Sequence, residues 1–365
     1  MFHIDVVGLR IAFQTSASRW MNLSDIQENE SDIDLKTFMK EWAMRALHTS
    51  IYTVVVAMAL SVSLAAPSYA GDDEAGTLSN RVEDLYRTGK YMEALPLAQR
   101  SLSLHEKQFG PNDANVAMPL IELGMIHYQL AQYVVAEALY KRSLPILEES
   151  VGPEHFKVAM ALNNLGDLYR AQGRYGDAVP VLKRSIAINE KLDGPDDLSI
   201  TTALGNLAAV YSMQGQNDRA ASLFERGLVI IEKARGANDP EATNIMSNLA
   251  VVYIQQNRLN DAARLLKRSI VINSKAFGPE SPDIAQAQNS LAEIYSRQGR
   301  SADAEFLFKK SAAMYEKTLG PDHPELAGVL SNLAGFYKDQ GRLADAQLYM
   351  KRSISIRAKA QPNPI

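Results

Sequence analysis

The chain has 365 residues, a formal net charge of −4 at pH 7 and an apolar content of 46%. This near-neutral balance provides no electrostatic basis for binding nucleic acid, since proteins that bind it carry clustered positive charge. The chain has no cysteine, which excludes disulfides and thiolate metal sites.

The first 70 residues differ from the rest of the chain. Residues 1–38 form a polar, acidic upstream extension, which we do not expect in the mature protein. In residues 39–70, Lys40 and Arg45 precede a mostly apolar run over residues 51–66, and small residues follow up to Ala70. This order is typical of a secretory signal peptide. We therefore expect cleavage after Ala70 and a secreted or periplasmic protein.

Two alternatives stay open for this leader. An uncleaved leader would act as a membrane anchor, although its apolar run of about 16 residues is shorter than the ~20 that span a bilayer. A signal peptide normally begins the chain, so translation starting at Met39 rather than Met1 would explain why residues 1–38 precede it.

Most of the remaining chain is one unit repeated without gaps. Such a period predicts a stacked solenoid, because each unit needs its neighbours to bury its apolar face. We expect an all-α solenoid of about seven antiparallel helix pairs over residues 71–360, followed by a short tail, residues 361–365. Seven alanines mark the unit at a constant spacing of 42 residues: Ala94, Ala136, Ala178, Ala220, Ala262, Ala304 and Ala346.

The third copy shows how each unit divides into two helices. Leu162, Leu165 and Tyr169 share one face of a first helix, which we call helix A. Gly173 then supplies a left-handed turn, and a second helix, helix B, runs to Gly194. Helix B buries a stripe that includes the repeated alanine, which we expect to lie where helices A and B approach most closely.

Each connection from helix B to the next helix A carries a capping residue three positions after the terminal glycine. A capping side chain followed by proline at the first helical position is a helix start, and the prolines here are Pro240, Pro282 and Pro324. Two of the caps are histidines with no second nitrogen ligand nearby, so we interpret them as caps and predict no metal site. The six capping residues are Asp113, His155, Asp197, Asp239, Ser281 and His323.

These helix pairs resemble tetratricopeptide repeats of the 42-residue kinesin light chain type. The resemblance lies in Leu-Asn-Asn-Leu-Gly-Asp-Leu-Tyr (residues 162–169), Gln-Gly-Arg-Tyr-Gly-Asp-Ala (172–178) and Ser-Asn-Leu-Ala-Gly-Phe-Tyr (331–337). It covers about residues 75–360, and the first two copies depart from it with Leu85 and His127 at the tyrosine position. It implies a right-handed superhelix whose concave groove, lined by the A helices, binds peptide segments of other proteins. With the leader, it indicates a bacterial exported member.

A row of amides on helix A is the candidate binding surface. Five of the seven copies have asparagine at one position, and the residues four positions earlier are neutral, which argues against a clamp for carboxylate tails. Two interpretations stay open: the amides bind a partner's backbone, or each bonds to the neighbouring repeat. The predicted groove residues are Asn164, Asn206, Asn244, Asn248, Gln286, Ser290 and Asn332.

Helix B carries a row of basic residues that offers a second surface. We interpret it as a solvated face whose charges are neutralised by nearby acids such as Asp177 and Asp303. Binding of an acidic polymer or of lipid headgroups is the alternative. The row consists of Arg100, Arg142, Arg184, Arg226, Arg268, Lys310 and Arg352.

The sequence contains no phosphate-binding loop, dinucleotide fingerprint, zinc-protease motif or nucleophile elbow. We therefore predict no enzyme and no cofactor, but a scaffold that binds protein or peptide segments in its groove. A polysaccharide or cell-wall binding module is the alternative, since an amide-rich groove could serve either ligand. The last helix B has no further repeat after it, which indicates possible self-association at that end.

Overall fold

The computed structural model describes residues 70–360, and the statements about structure below refer to these residues. The predicted upstream extension, the predicted signal peptide up to Tyr69 and the predicted tail from residue 361 lie outside them. Within this range the chain forms fourteen α-helices and one short 3-10 helix, Leu198–Ile200, and no strand.

The helices alternate between helix A and helix B of seven successive repeats. The A helices are α1 (Ala70–Arg87), α3 (Ala114–Gln129), α5 (Phe156–Ala171), α7 (Thr201–Met213), α9 (Ala242–Gln255), α11 (Pro282–Arg297) and α13 (Pro324–Asp339). The B helices are α2 (Tyr91–Phe109), α4 (Tyr133–Val151), α6 (Tyr175–Asp193), α8 (Asn217–Arg235), α10 (Leu259–Phe277), α12 (Ser301–Leu319) and α14 (Leu343–Ala360).

Consecutive helices pack against one another along the whole described range, which confirms the predicted solenoid of seven helix pairs. From α3 to α13, each A helix also contacts the A helix of the next repeat, whereas neighbouring B helices make no comparable backbone contact. Because the A row is more closely spaced than the B row, each repeat is a wedge. The A helices therefore lie on the inside of the curve. Among the described helices, none has the length and apolar character needed to cross a membrane.

Within each repeat, helices A and B approach closely because a small residue on one faces a large residue on the other. A Cβ built on Gly166 of α5 would lie 2.4 Å from Cγ of Leu182 on α6, and one built on Gly124 of α3 would lie 2.6 Å from Cε1 of Tyr140 on α4. Leu182 and Tyr140 are almost completely buried. In the first repeat the sizes are reversed: the larger residue, Val82, is on helix A, and the smaller residue, Ala98, is on helix B.

Helix B has two recurring small residues of its own at this contact, the repeated alanine and the serine seven positions after it. Six of the seven repeated alanines are 0% exposed, and Ala346 in the last repeat is half-buried. Seven positions after the alanine, a buried serine donates a hydrogen bond to a backbone carbonyl of helix A in three repeats. These bonds join Ser185 to Ala159, Ser311 to Ala285 and Ser353 to Ala327, each 2.7 Å long.

The turns and caps follow the sequence analysis. The turn after helix A has a left-handed residue in every repeat, including Ala131 (φ 56°) and Asn257 (φ 60°), where glycine is absent. Both histidines cap helices, since Nδ1 of His155 and of His323 each accepts a backbone N–H at 3.2 Å. Within the described range, no three side chains of the metal-binding types are grouped so that they could hold an ion. Two predicted helix starts were displaced: Asp197 caps the 3-10 helix that precedes α7, and α9 begins two residues after Pro240 and not at it.

We expect opposite effects from alanine at two helical glycines. Gly166→Ala places a methyl group against Leu182, and such overpacking costs about 1 to 3 kcal/mol. Gly205→Ala on α7 has no heavy atom within 4 Å of the new Cβ, so it should stabilise by about 0.5 to 1 kcal/mol through helix propensity. Thermal and urea unfolding of both variants test this. Equal effects would show that the Gly166–Leu182 contact does not limit packing.

Candidate functional site

The A helices present one exposed stripe on their inner side. On α9 it consists of Asn244, Asn248, Val251 and Gln255, which are spaced by four, three and four residues and are all exposed. This spacing places them on one side of a helix, opposite the residues that pack against the B helices. Positions 42 residues apart are equivalent in the repeat, so every A helix contributes the same four positions to a shared surface, which we call the inner face.

All seven predicted groove residues lie on the inner face. Asn164 is on α5, Asn206 on α7, and Asn332 on α13; the others form two pairs, each spanning one helical turn. The pairs are Asn244 and Asn248 on α9, and Gln286 and Ser290 on α11. The structure therefore places on one face residues that are up to 168 positions apart in the sequence.

Two of the asparagines bond to the neighbouring repeat. The Asn206 side-chain amide donates to Oδ1 of Asn163 at 3.0 Å, and the Asn332 amide donates to Oδ1 of Asn289 at 3.3 Å. Each bond joins residues 43 positions apart on adjacent A helices. The interpretation that the amides bond to the neighbouring repeat therefore holds for these two residues. Their bonds help to set the distance between adjacent A helices.

The remaining predicted residues form no such bond. In the bonds described above, the accepting residue lies 43 positions before the asparagine. For Asn164 this residue is Ile121 and for Asn248 it is Gly205, and neither has a polar side chain. In the described part of the chain, the side chains of Asn164, Asn244, Asn248, Gln286 and Ser290 form no hydrogen bond. Asn244, Asn248 and Gln286 are also exposed.

The middle of the inner face carries no charged side chain. Its four positions on α7 are Thr202, Asn206, Ala209 and Met213, and those on α9 are polar amides and Val251. Met213 is 54% exposed and Val251 is 43% exposed, so apolar surface lies beside the amides. Val251 lies three positions after Asn248 and Met213 seven positions after Asn206, and neither was among the predicted groove residues.

Ion pairs flank this uncharged middle on both sides. On α5, Asp167 pairs with Arg170 at 2.6 Å, and on α11, Glu293 pairs with Arg297 at 2.5 Å. Asp167 and Glu293 occupy the same inner-face position that Ala209 and Val251 occupy on α7 and α9. The charge pattern therefore distinguishes the two central A helices from their neighbours.

Glu122 on α3 is an acidic residue at the asparagine position. It is half-buried, with Met118 one turn before it and Met125 three residues after it on the same stripe. Burial, with a smaller contribution from the charge of Glu83 on α1, raises the pKa of the Glu122 carboxyl from its ordinary value of 4.5 to about 7. The inner face of the second repeat therefore contains a carboxyl that changes charge near neutral pH.

The tyrosine near the end of helix A belongs to the joint between repeats and not to the inner face. Tyr253 is buried, and the Arg258 guanidinium lies 3.8 Å from the centre of its ring. In the last repeat, the Tyr337 hydroxyl donates to Glu305 of the preceding helix B at 2.8 Å, and Arg342 pairs with the same carboxylate. The stacking joins helices A and B of one repeat and is worth about 0.5 to 2 kcal/mol, whereas the contacts with Glu305 hold the last repeat on the previous one.

The basic row of helix B also joins repeats, and its acidic partners are not those that the sequence indicated. Arg226 pairs with Glu190 of the preceding helix B at 2.7 Å, and Arg142 pairs with Glu106 at 2.6 Å. Asp177 and Asp303 instead pair with Arg174 and Arg300, at the start of their own helices. Helical spacing placed these acids near the row, but arginine side chains reach across to the previous repeat.

The repeat geometry agrees with comparisons to known proteins. A family model for the tetratricopeptide repeat matches six overlapping segments: residues 73–149, 123–191, 157–233, 199–273, 241–317 and 283–359. The chain belongs to the tetratricopeptide repeat family. No curated protein matches the sequence.

Several solved structures are similar to this chain. The apo form of the quorum sensor NprR from B. thuringiensis is similar with a TM-score of 0.65 and 16% identity, over 80% of this chain and 78% of that one. BtubC (BKLC) from P. vanneervenii is similar with a TM-score of 0.51 and 21% identity, over 66% of this chain and 94% of that one. A Podosopora anserina protein assigned as a kinesin light chain with nearly identical TPR-like repeats has 27% identity and a TM-score of 0.48, over 57% of this chain and 100% of that one.

We expect the stability of the second repeat to depend on pH through Glu122. Between pH 4.5 and about 7 the folded protein keeps the carboxyl proton that the unfolded chain releases, so stability falls as pH rises through this window. Glu122→Gln cannot ionise at this position, so the variant should not lose stability over this pH range. Its melting temperature should exceed that of the parent by several degrees at pH 8 and by less at pH 4.5. Glu149→Gln, at an exposed position on α4, is the control. A difference that is the same at both pH values would contradict this assignment.

Proposed function

We propose that the repeat domain is a scaffold that binds extended peptide segments of partner proteins on its inner face. The observation that carries the proposal is the set of amides on the inner face that have no partner within the described chain, Asn164, Asn244, Asn248 and Gln286. Because asparagine is unfavourable inside a helix by about half a kcal/mol relative to alanine, its recurrence here calls for a compensating interaction.

The chemistry of these amides fits a peptide backbone. Each side-chain amide offers two N–H donors and a carbonyl acceptor, and an extended backbone presents both complementary groups on each residue. Neighbouring helices lie roughly 8 to 10 Å apart, which is about the length of three extended residues. Amides on successive A helices would therefore engage one extended chain at regular intervals.

The uncharged middle of the inner face indicates the kind of segment that would bind. Val251 provides apolar surface one turn after Asn248, Met213 provides it on α7 at the position equivalent to Gln255, and methionine adapts to side chains of different shape. The flanking acids are already paired with arginines on their own helices. We infer a neutral segment with an apolar side chain placed between α7 and α9, and not a charged tail.

We also propose that the protein is exported through the leader and cut after Ala70, which supports a secreted or periplasmic location. The described helix α1 begins at Ala70, so the cut would leave this helix almost complete. Translation from Met39 is compatible with the same mature protein.

Substitution of two inner-face amides should weaken peptide binding strongly. A random peptide library displayed on phage would be selected on the immobilised chain, and the affinity of a selected synthetic peptide measured by calorimetry. Asn244→Ala with Asn248→Ala removes at least two hydrogen bonds of about 1 to 1.5 kcal/mol each, so affinity should fall by one to two orders of magnitude.

The matched control replaces two exposed asparagines outside the A helices. Asn112 and Asn238 occupy equivalent positions in connections between repeats, and Asn112→Ala with Asn238→Ala should leave affinity unchanged. Selection of no peptide, or equal affinity of both double variants, would count against the proposal. Retention of wall polysaccharide from an envelope fraction, with no polypeptide retained, would favour the alternative of a wall-binding module.

Cleavage of the leader should remove all tryptophan fluorescence. The chain has two tryptophans, Trp20 and Trp42, and both precede Ala70. Protein recovered from the envelope or medium should therefore show only tyrosine emission, and its N-terminal sequence should begin at Gly71. Tryptophan emission from the exported protein would indicate a retained leader.

A further inference from the structure

The last B helix, α14, exposes an apolar stripe. Leu343 is 60% exposed, Met350 is 40% exposed and Ile354 is 59% exposed. The spacing of these residues, with Gln347 between the first two, is four, three and four, so they lie along one side of the helix. In the described part of the chain, no helix packs against this side of α14.

Two of these positions are buried in the preceding repeat. On α12, Phe308 occupies the position of Met350 and is 2% exposed, and Ala312 occupies the position of Ile354 and is 8% exposed. The following A helix, α13, covers them: the rings of Phe308 and Phe336 are 5.7 Å apart. The stripe of α14 is therefore the continuation of an interface that exists between the repeats.

The opposite end of the solenoid does not offer a matching surface. On α3, Val116 and Ile126 are completely buried, but the equivalent residues of α1 are Glu74 and Asp84, and both are exposed. Glu74 pairs with Arg100 of α2 at 3.3 Å. Docking α14 of one copy on α1 of another would bury these carboxylates against apolar side chains, which is unfavourable.

The stripe has the pattern of a seam between two helices. Residues 343, 347, 350 and 354 follow the alternation of four and three residues that defines core positions of a coiled coil, with leucine, methionine and isoleucine at three of them. Gln347 is the polar member, and one polar residue at such a position favours a single register.

We propose that the protein self-associates through α14 as a symmetric dimer, in which the stripes of two copies pack against each other across a two-fold axis. In a two-fold dimer the same patch of each subunit is buried in the contact, so no copy of the patch is left to bind a third subunit. The contact is one helix from each copy, which places it among the smaller and weaker interfaces.

Sedimentation velocity of the full chain from 5 to 200 µM tests the proposal. We expect a concentration-dependent dimer, and Met350→Glu with Ile354→Glu should lower the dimer fraction at 100 µM at least ten-fold. Val271→Glu on α10, at a position 53% exposed, should leave the dimer fraction unchanged. All these positions are exposed, so circular dichroism spectra should show the helical content of the parent in each variant. Association that survives the α14 substitutions, as association through the leader would, overturns the proposal.

The geometry can be tested by cross-linking, because the chain has no cysteine of its own. Gln347→Cys lies near the middle of the seam and should form a disulfide between two copies on mild oxidation, whereas Val271→Cys should not. A monomer at all concentrations overturns the proposal. Masses that grow beyond the dimer, with no cross-link at position 347, would show head-to-tail stacking and would also overturn it.

Discussion

The close approach of helices A and B inside each repeat is the constraint on which the rest of this structure depends. At this contact, Gly166 faces Leu182 and Gly124 faces Tyr140 with no room for a further methyl group, while the first repeat reverses the sizes with Val82 and Ala98. A repeat therefore tolerates a change of side chain on one helix when the other compensates. Because the spacing is kept in each helix pair, the seven repeats can share one stacking geometry.

The inner face is a consequence of that stacking. Once the A helices lie side by side, equivalent positions come into register, and the neighbour's side chain decides what each amide does. The Asn206 amide lies beside Asn163 and donates a hydrogen bond to it, whereas the equivalent neighbour of Asn248 is Gly205, which has no side chain to accept one. Identical residues at identical positions thus divide into two roles, one that holds the repeats together and one that is available to a ligand.

Charges in this protein mainly connect repeats. Arg142 and Arg226 reach back to a glutamate of the previous helix B, and Arg258, which stacks on Tyr253 of its own repeat, lies 3.8 Å from Glu225 of the previous helix B. Each exposed pair contributes little alone, typically 0 to 1 kcal/mol, but the pairs recur along the stack and favour one orientation of neighbouring repeats. They also neutralise much of the basic row, which weakens the case for an acidic polymer as its partner.

The sequence by itself determined the helix pairs, their turns, the histidine caps and the amide row, because helix periodicity, capping and left-handed turns are local and repeat every 42 residues. Only the tertiary structure decided the pairing of the charges, the division of the asparagines, the uncharged middle around Met213 and Val251, and the exposure of Met350. These depend on which residue a neighbouring helix brings within reach. That residue is distant in sequence and differs from copy to copy, so periodicity alone does not specify it.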